Sequence, residues 1–137
     1  MTDEQSTSLE LLLDILNVVH CVMEESQDVL SELELEPKAL FLLSILDDNP
    51  EPAQLAKALL LPRPTVTFLV KKLESLGYIA RATNSKDLRR YKLSMTKSGR
   101  KAMERGRTAL SAAFNSRLKK LPAKDETALR AIVTRLQ

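Results

Sequence analysis

The sequence predicts a mainly α fold that carries one small β-hairpin, an α+β class. Apolar residues recur at helical spacing along most of the chain, whereas the stretch after Gly77 alternates between apolar and polar residues as strands do. A length of 137 residues is typical of one domain, so residues 1–137 are predicted to form a single domain.

The first predicted helix is apolar on nearly all of its sides. One apolar stripe runs from Leu9 to Met23, and a second stripe runs from Leu11 to Val22. Such a helix has to be covered nearly all round, and a chain of this size has little material with which to enclose it. The second stripe is therefore predicted to pack against a second copy of the chain.

Three further helices are predicted before the hairpin. Pro37 suits the first turn of a helix, and the turn cluster 47–52 precedes a short helix from about Ala53 to Leu59. A longer helix follows from Arg63 to Leu76, and Gly77 is predicted to cap its carboxyl end.

The alternating stretch predicts two antiparallel strands, residues 78–82 and 90–94. Thr83–Arg89 is predicted to be the loop between them, with Asn84 and Ser85 as turn formers. Thr96 then suits the N-cap of a long helix, and a last helix follows after Pro122. These elements complete the predicted order of helices and strands.

Charge is strongly segregated along the chain. Residues 1–36 contain ten acids and no Lys or Arg, whereas residues 62–107 contain thirteen bases and three acids, although the net formal charge is only +3. A basic block suits a polyanion such as nucleic acid, and a solvated charged face is the alternative. The acidic segment from Glu24 to Glu36 is predicted to be mostly a solvated helix end.

The composition argues against several other classes of protein. One His, one Cys and three Gly leave no catalytic set, no phosphate-binding glycine loop and no metal site, so neither an enzyme nor a cofactor is expected. A single cysteine, a polar N-terminus and no apolar run near ~20 residues favour a cytoplasmic protein without a membrane partner. His20 is predicted to be a satisfied interface histidine, because a metal site would need ligands that the chain lacks. Cys21 is predicted to be a packed thiol, with oxidant sensing as the alternative.

The short helix, tight turn and longer helix form a helix-turn-helix, in which the second helix presents its N-terminal residues to the DNA major groove. A hairpin directly after it makes this a winged helix. The stretches LAKALLLPRPTVTFLVKKLESLGYIAR and SKDLRRYKLSMTKSG resemble the MarR family of transcriptional regulators over roughly residues 35–105. The resemblance implies a winged helix-turn-helix at 35–107 flanked by dimerisation helices at 1–34 and 108–137.

The resemblance also implies a function. It implies a homodimer that binds double-stranded DNA at an inverted repeat, with repression as the default and activation as the alternative. It further implies release by a small aromatic or phenolic effector. The alternative from another class is a winged-helix protein-interaction module that binds an acidic partner protein.

Site residues follow from the same resemblance, position by position. Arg63 and Thr65 are expected to reach the major groove, Arg89 the minor groove, and Phe68 either a thymine methyl or a packing partner. Asp87 is expected to brace the wing against Arg81 or against the recognition helix. The whole expected DNA-binding set is Arg63, Pro64, Thr65, Thr67, Phe68, Lys71, Lys72, Lys86, Arg89 and Arg90. The expected dimer interface contains Leu9, Leu12, Leu16, Leu118, Leu129, Ile132, Val133 and Leu136.

Two departures from the family pattern matter, and Phe68 also stands where a polar or small residue is common. Leu60 stands where the family often has a glycine in the turn, and Pro62 stands where a Ser or Thr cap is common. The loss of a side-chain cap costs roughly 0.5–2 kcal/mol. These departures affect the expected base contacts rather than the expected fold.

Overall fold

The computed structural model describes residues 2–84 and 86–137, apart from the side chains of Asn84 and Leu88. Within these residues, seven α-helices accompany a two-stranded antiparallel sheet, which confirms the predicted mainly α fold with one hairpin. The helices are α1 (Asp3–Glu25), α2 (Gln27–Glu32), α3 (Pro37–Ile45), α4 (Pro52–Leu59), α5 (Arg63–Ser75), α6 (Lys97–Leu118) and α7 (Ala123–Leu136). The strands are β1 (Ile79–Asn84) and β2 (Asp87–Met95).

The chain divides into two compact units. Met1–Ser26 and Ala109–Gln137 make up the first, which we name the terminal unit. Gln27–Thr108 make up the second, which we name the winged-helix unit because it contains α3, α4, α5 and the hairpin. This division places residues 27–34 with the winged helix.

The winged-helix unit has a well-formed apolar core. Its fully buried side chains are Leu30, Leu40, Leu42, Leu43, Leu46, Leu55, Val66, Leu69, Val70 and Leu73. Four of these come from α5, where they recur at helical spacing on one face. The opposite face of α5 is thereby left outside the core.

The acidic segment of residues 24–36 is not simply a solvated helix end, so that prediction was incomplete. Its acidic side chains are exposed, but Leu30, Leu33 and Leu35 are buried, and α2 lies within the segment. Glu34 adopts a left-handed backbone conformation (φ 55°), and the Leu35 N–H donates to the Leu30 carbonyl over 2.9 Å. This turn brings leucines on both sides of Glu34 into the core.

Local chemistry sets the ends of α3 and α5 as predicted. Pro37 lies in the first turn of α3. At the end of α5, Gly77 has φ 75°, its N–H donates to Glu74, and the Tyr78 N–H donates to Leu73. This pair of hydrogen bonds is a Schellman motif and confirms Gly77 as the C-terminal cap.

The hairpin is longer than predicted, and the proposed loop Thr83–Arg89 was wrong. β1 continues to Asn84 and β2 already begins at Asp87; Ser85, one of the expected turn formers, lies outside the described residues. Thr83 pairs with Tyr91, but the next residue, Asn84, pairs with Asp87. In the described register, the three residues of β2 between Asp87 and Tyr91 therefore have no partner on β1 and form a bulge. The prediction missed this bulge because strand residues near the tip are polar and charged.

Thr96 joins the wing, α5 and α6. Its hydroxyl accepts from the Gly99 N–H (3.0 Å), which confirms the predicted N-cap, and donates to the Gly77 carbonyl (2.6 Å). A Cβ on Gly99 would lie 1.9 Å from the Tyr78 carbonyl oxygen, so only glycine fits there. The Leu93 N–H donates to the Pro50 carbonyl over 2.7 Å and fixes β2 beside the start of α4.

The terminal unit leaves most of its apolar surface exposed. Val22 is the one buried residue of α1 within the described chain, and α7 has none. Among the described residues, α1 is also long and apolar enough to cross a bilayer by length and composition, with a mean hydropathy of 1.4 over 18 residues. By that criterion, the expectation that no apolar segment approaches this length was wrong.

Candidate nucleic-acid interface

The turn between α4 and α5 is tight and unusual in its residue types. Leu60 has a left-handed backbone (φ 55°, ψ 42°) and a side chain that is 90% exposed, while the Leu61 N–H returns to the Ala56 carbonyl over 3.0 Å. Pro62 precedes α5 in an extended conformation and provides no side-chain cap, as expected. The Arg63 and Thr65 N–H groups of the first turn therefore have no side-chain cap and can donate to an anion, while Pro64 has no N–H.

The seven site residues predicted on α5 all lie away from its buried face. Arg63, Pro64, Thr67, Phe68 and Lys71 are exposed, and Thr65 and Lys72 are half-buried at the edges of this surface. Helical spacing explains the separation for Pro64, Phe68 and Lys71, whereas Arg63 is exposed at the first position of the helix. We name the exposed side the outer face of α5.

Two polar residues of the outer face already have partners within the winged-helix unit. The Thr67 hydroxyl donates to the Arg63 carbonyl one turn earlier over 3.0 Å. The Lys72 ammonium lies 3.8 Å from a carboxylate oxygen of Glu36, and both side chains are exposed enough for solvent to screen the pair. The ion pair keeps Lys72 at the edge of the outer face.

The basic residues of the wing cluster around the bulge in β2. Arg89 and Arg90 fall inside the bulged part of the strand, Lys86 lies in the turn, and all three are exposed. An Asp87 carboxylate oxygen accepts the Arg89 N–H over 3.0 Å, so Asp87 holds the local backbone that carries Arg89. Arg90 also borders a shallow groove beside Glu51.

Arg81 fixes the wing to α5 through Glu74. The Arg81 guanidinium donates from two nitrogens to the Glu74 carboxylate, at 3.1–3.2 Å from Nε and at a shorter separation from Nη2, and it lies 4.1 Å from the centre of the Tyr91 ring. The hydrogen bonds that Arg81 donates to the Glu74 carboxylate raise the pKa of Arg81 above its ordinary value, against the opposing effect of burial. Arg81 thus bridges the two parts of the expected DNA-binding surface.

Sequence reasoning missed Glu74 and Tyr91 as partners of Arg81. It expected Asp87 to brace the wing, whereas the described contact of Asp87 is with the backbone of Arg89. A glutamate in the last turn of α5 and an arginine on β1, seven positions apart on either side of the Gly77 turn, are a signal that could have identified the pair.

The residues expected at the dimer interface are placed on the surface of the terminal unit. Seven of them are exposed and Leu118 is half-buried: Leu9, Leu12, Leu16, Leu118, Leu129, Ile132, Val133 and Leu136. His20 is exposed and Cys21 half-buried. Within residues 2–84 and 86–137, no group of three His, Cys, Asp or Glu side chains lies close enough to hold a metal ion.

Comparison with known protein families finds a family model that matches the winged-helix unit. The sequence model of the MarR family matches residues 33–90, which cover α3, α4, α5 and most of the hairpin. Over these residues the chain is similar to the MarR family. The family match ends at the bulge of the wing and does not extend to the terminal unit. No curated protein sequence matches the chain significantly.

Solved structures share the fold of this chain over nearly its whole length. A MepR–DNA complex from S. aureus has a TM-score of 0.78 at 22% identity, covering 93% of this chain and 94% of MepR. A MarR-family regulator from Rhodococcus sp. RHA1 has a TM-score of 0.79 at 17% identity, covering 98% and 96%. The transcriptional repressor CouR, bound to a 23-mer DNA duplex, has a TM-score of 0.77 at 24% identity, covering 99% and 96%. At these identities the similarity establishes the fold.

Proposed function

We propose that this chain is a homodimeric transcriptional regulator of the MarR family that binds double-stranded DNA in a sequence-specific manner. The observation that carries the proposal is the outer face of α5. It presents Lys71 on the side opposite the core, and Arg63 is exposed at the N-terminus of the helix, which has no side-chain cap. A helix N-terminus and basic side chains on one exposed face suit the phosphates and base edges of a major groove.

We assign separate tasks to the basic residues. Arg63 and Thr65, in the first turn of α5, read base edges, because an arginine fork can donate two hydrogen bonds to guanine. Thr67, Lys71 and Lys72 contact phosphates and provide affinity without sequence information. DNA competes with Glu36 for Lys72, whose ion pair is exposed and therefore weak.

The wing is assigned to the neighbouring minor groove. Arg89 enters that groove, because narrow A·T-rich minor grooves attract arginine. Lys86 and Arg90 contact the backbone on either side of it. Asp87 orients the Arg89 backbone, and Arg81 holds the whole wing against α5 through Glu74. Support for this assignment comes from the bulge, which concentrates the two arginines near the tip.

A second copy of the chain is proposed to cover the apolar surface of the terminal unit. Exposed leucines, isoleucines and valines along α1 and α7 form an apolar surface of the kind that marks a protein interaction site. A two-fold symmetric pair would bury it and would place the recognition helices about 34–36 Å apart, one turn of DNA. The operator is therefore proposed to be an inverted repeat.

A second copy of the chain is better suited than a lipid bilayer to bury the apolar surface of α1. Glu10 and Asp14 lie within every 18-residue part of this helix, and carboxylates are costly inside the hydrocarbon region. In a dimer both carboxylates can remain at the solvated edge. We accordingly propose a cytoplasmic protein without a membrane partner.

Regulation is proposed to follow the family pattern. The dimer represses by occupying promoter DNA, and a small aromatic or phenolic effector releases it. Such an effector acts only through different affinities for the DNA-bound and free arrangements of the two recognition helices. Isothermal titration of phenolic acids into the free protein and into its DNA complex measures that difference.

Selection of bound duplexes from random DNA, followed by binding titrations across salt concentrations, tests the proposed function. We expect an inverted repeat to be selected, and its affinity to fall steeply as salt rises. Arg63→Ala should weaken operator binding by roughly fivefold to 150-fold, about 1–3 kcal/mol for a base-reading arginine. Arg89→Ala should weaken binding most at A·T-rich flanks. Lys101→Ala, an exposed lysine on α6, is the matched control.

Two results would contradict the proposal. One is a selection from random DNA that yields no preferred sequence. That result would favour the alternative function, a winged-helix module that binds an acidic partner protein. The other is operator affinity that Arg63→Ala and Lys101→Ala change equally, because the effect would then be one of net charge and not of the outer face of α5.

A further inference from the structure

Phe68 occupies the middle of the outer face of α5, where a phenylalanine is unexpected. The side chain is 62% exposed, although four other apolar residues of the same helix are almost fully buried. At 3.6 residues per turn, Phe68 lies about 150° around the helix axis from the centre of that buried face. It is therefore not an edge residue of the core.

The surroundings of Phe68 on the outer face are partly apolar as well. Pro64 is exposed and lies one turn earlier on the same row of the helix. Arg63, Thr67 and Lys71 form the adjoining row of the helix. The Thr67 hydroxyl already donates its hydrogen bond to the Arg63 carbonyl. The centre of the face is thus an apolar strip with cations beside it.

Among the four standard bases, thymine alone presents an apolar group in the major groove, its C5-methyl. A phenyl ring has no hydrogen-bond donor or acceptor in its plane, so it cannot distinguish the polar edges of the other bases. Burying a methyl group against the ring would remove apolar surface from water on both partners. Phe68 is chemically suited to that group.

We propose that Phe68 is a specificity-determining residue that reads the C5-methyl of thymine in each operator half-site, with Pro64 beside it. The inference rests on the proposed function, since it requires α5 to enter the major groove. It adds to that function a sequence preference that the arginines do not provide. The half-site contains a thymine opposite the middle of α5, and guanine contacts lie closer to Arg63.

Replacement of each thymine in the selected operator by deoxyuridine, one symmetric pair at a time, tests this role. Deoxyuridine keeps every hydrogen-bonding group and removes only the methyl. At one or two positions we expect the wild-type affinity to fall about four-fold for each methyl lost. Phe68→Ala should bind thymine and deoxyuridine operators equally, and Phe68→Leu should keep part of the difference.

Arg63→Ala is the matched control, because it should weaken binding to both operators and keep their ratio. Thermal unfolding of Phe68→Ala should match that of the wild type, since the side chain is largely exposed. The inference is overturned if no deoxyuridine substitution weakens wild-type binding, or if Phe68→Ala retains the full penalty. Either result with an intact Arg63→Ala effect leaves the proposed function standing, whereas failure to select any operator removes both.

Discussion

Leucines at helical spacing have opposite environments in the two units of this chain. Leu40 in the winged-helix unit is 1% exposed, whereas Leu12 in the terminal unit is 60% exposed. The winged-helix unit brings α2, α3, α5 and α6 residues around one core, while α1 and α7 expose most of their apolar residues. The comparison teaches that periodicity identifies which faces must be covered and does not identify what covers them.

The largest effect should come from emptying the core of the winged-helix unit. Leu40→Ala removes a fully buried side chain and should lower the free energy of unfolding by about 3–5 kcal/mol. Denaturant titration at several protein concentrations measures it. We expect the loss at every concentration, because the Leu40 environment lies within one chain. A loss below about 1 kcal/mol would mean that this core is loosely packed.

The junction of wing and α6 should be nearly as sensitive. Gly99→Ala places a methyl group 1.9 Å from the Tyr78 carbonyl and should cost about 3 kcal/mol, since backbone has to move. Gly106→Ala is the matched control, because its closest contact is the movable end of Leu40 at 2.8 Å. Equal unfolding temperatures for the two variants would contradict the close approach at Tyr78.

The terminal unit should respond differently, through association. Leu12→Ala removes an apolar contact from both copies at once, and we expect about 2 kcal/mol per dimer, roughly a thirty-fold weaker association. Sedimentation equilibrium measures the dissociation constant directly. Lys119→Ala, an exposed lysine near the end of α6, serves as control. A Leu12→Ala variant that associates as tightly as the wild type would show that this part of α1 is not covered by the second copy.

The brace between α5 and the wing should have a smaller effect on stability. The Arg81–Glu74 pair is partly exposed and should contribute about 0.2–1 kcal/mol despite hydrogen bonds from two guanidinium nitrogens. A double-mutant cycle with Glu74→Gln and Arg81→Gln measures the coupling, and amide exchange in β1 and β2 reports the loosened wing. Zero coupling together with unchanged exchange would exclude the brace.

The smallest expected effect is a gain. Leu60 has a left-handed backbone that costs a leucine about 1–2 kcal/mol, and its exposed side chain leaves little packing to lose. Leu60→Gly should therefore raise the free energy of unfolding by about 0.5 kcal/mol after the entropy of glycine is counted. Glu34→Gly, also at φ 55°, should give a similar gain. A destabilised Leu60→Gly would mean that the leucine makes contacts that outweigh its backbone strain.

Much of the fold could be predicted because a few neighbouring residues determine where a helix begins or ends. Pro37 in a first helical turn, the Gly77 cap and the Thr96 cap each act within a few residues, and the structure confirms them. The exposed outer face of α5 also followed from helical spacing alone. Such features need no knowledge of distant parts of the chain.

The remainder depends on contacts between distant residues or on apolar residues among charges. α2 was missed because it contains a single buried leucine, Leu30, among polar and acidic residues, which leaves no helical period to detect. The predicted strands of the wing were too short because the residues near its tip are polar and pair only after the register shift at the bulge. Glu74 was missed because its partner lies on the far side of the Gly77 turn. In each case the missing information was which residue contacts which, and not which secondary structure the residues prefer.

The central claim is that two copies cover each other's terminal units while their winged-helix units hold one operator. Light scattering after size-exclusion chromatography, on the free protein and on its complex with a selected duplex, tests it most directly. We predict twice the chain mass of 15.4 kDa for the free protein at micromolar concentration, and two chains per duplex in the complex. A free monomer, or one chain per inverted repeat, would contradict the account.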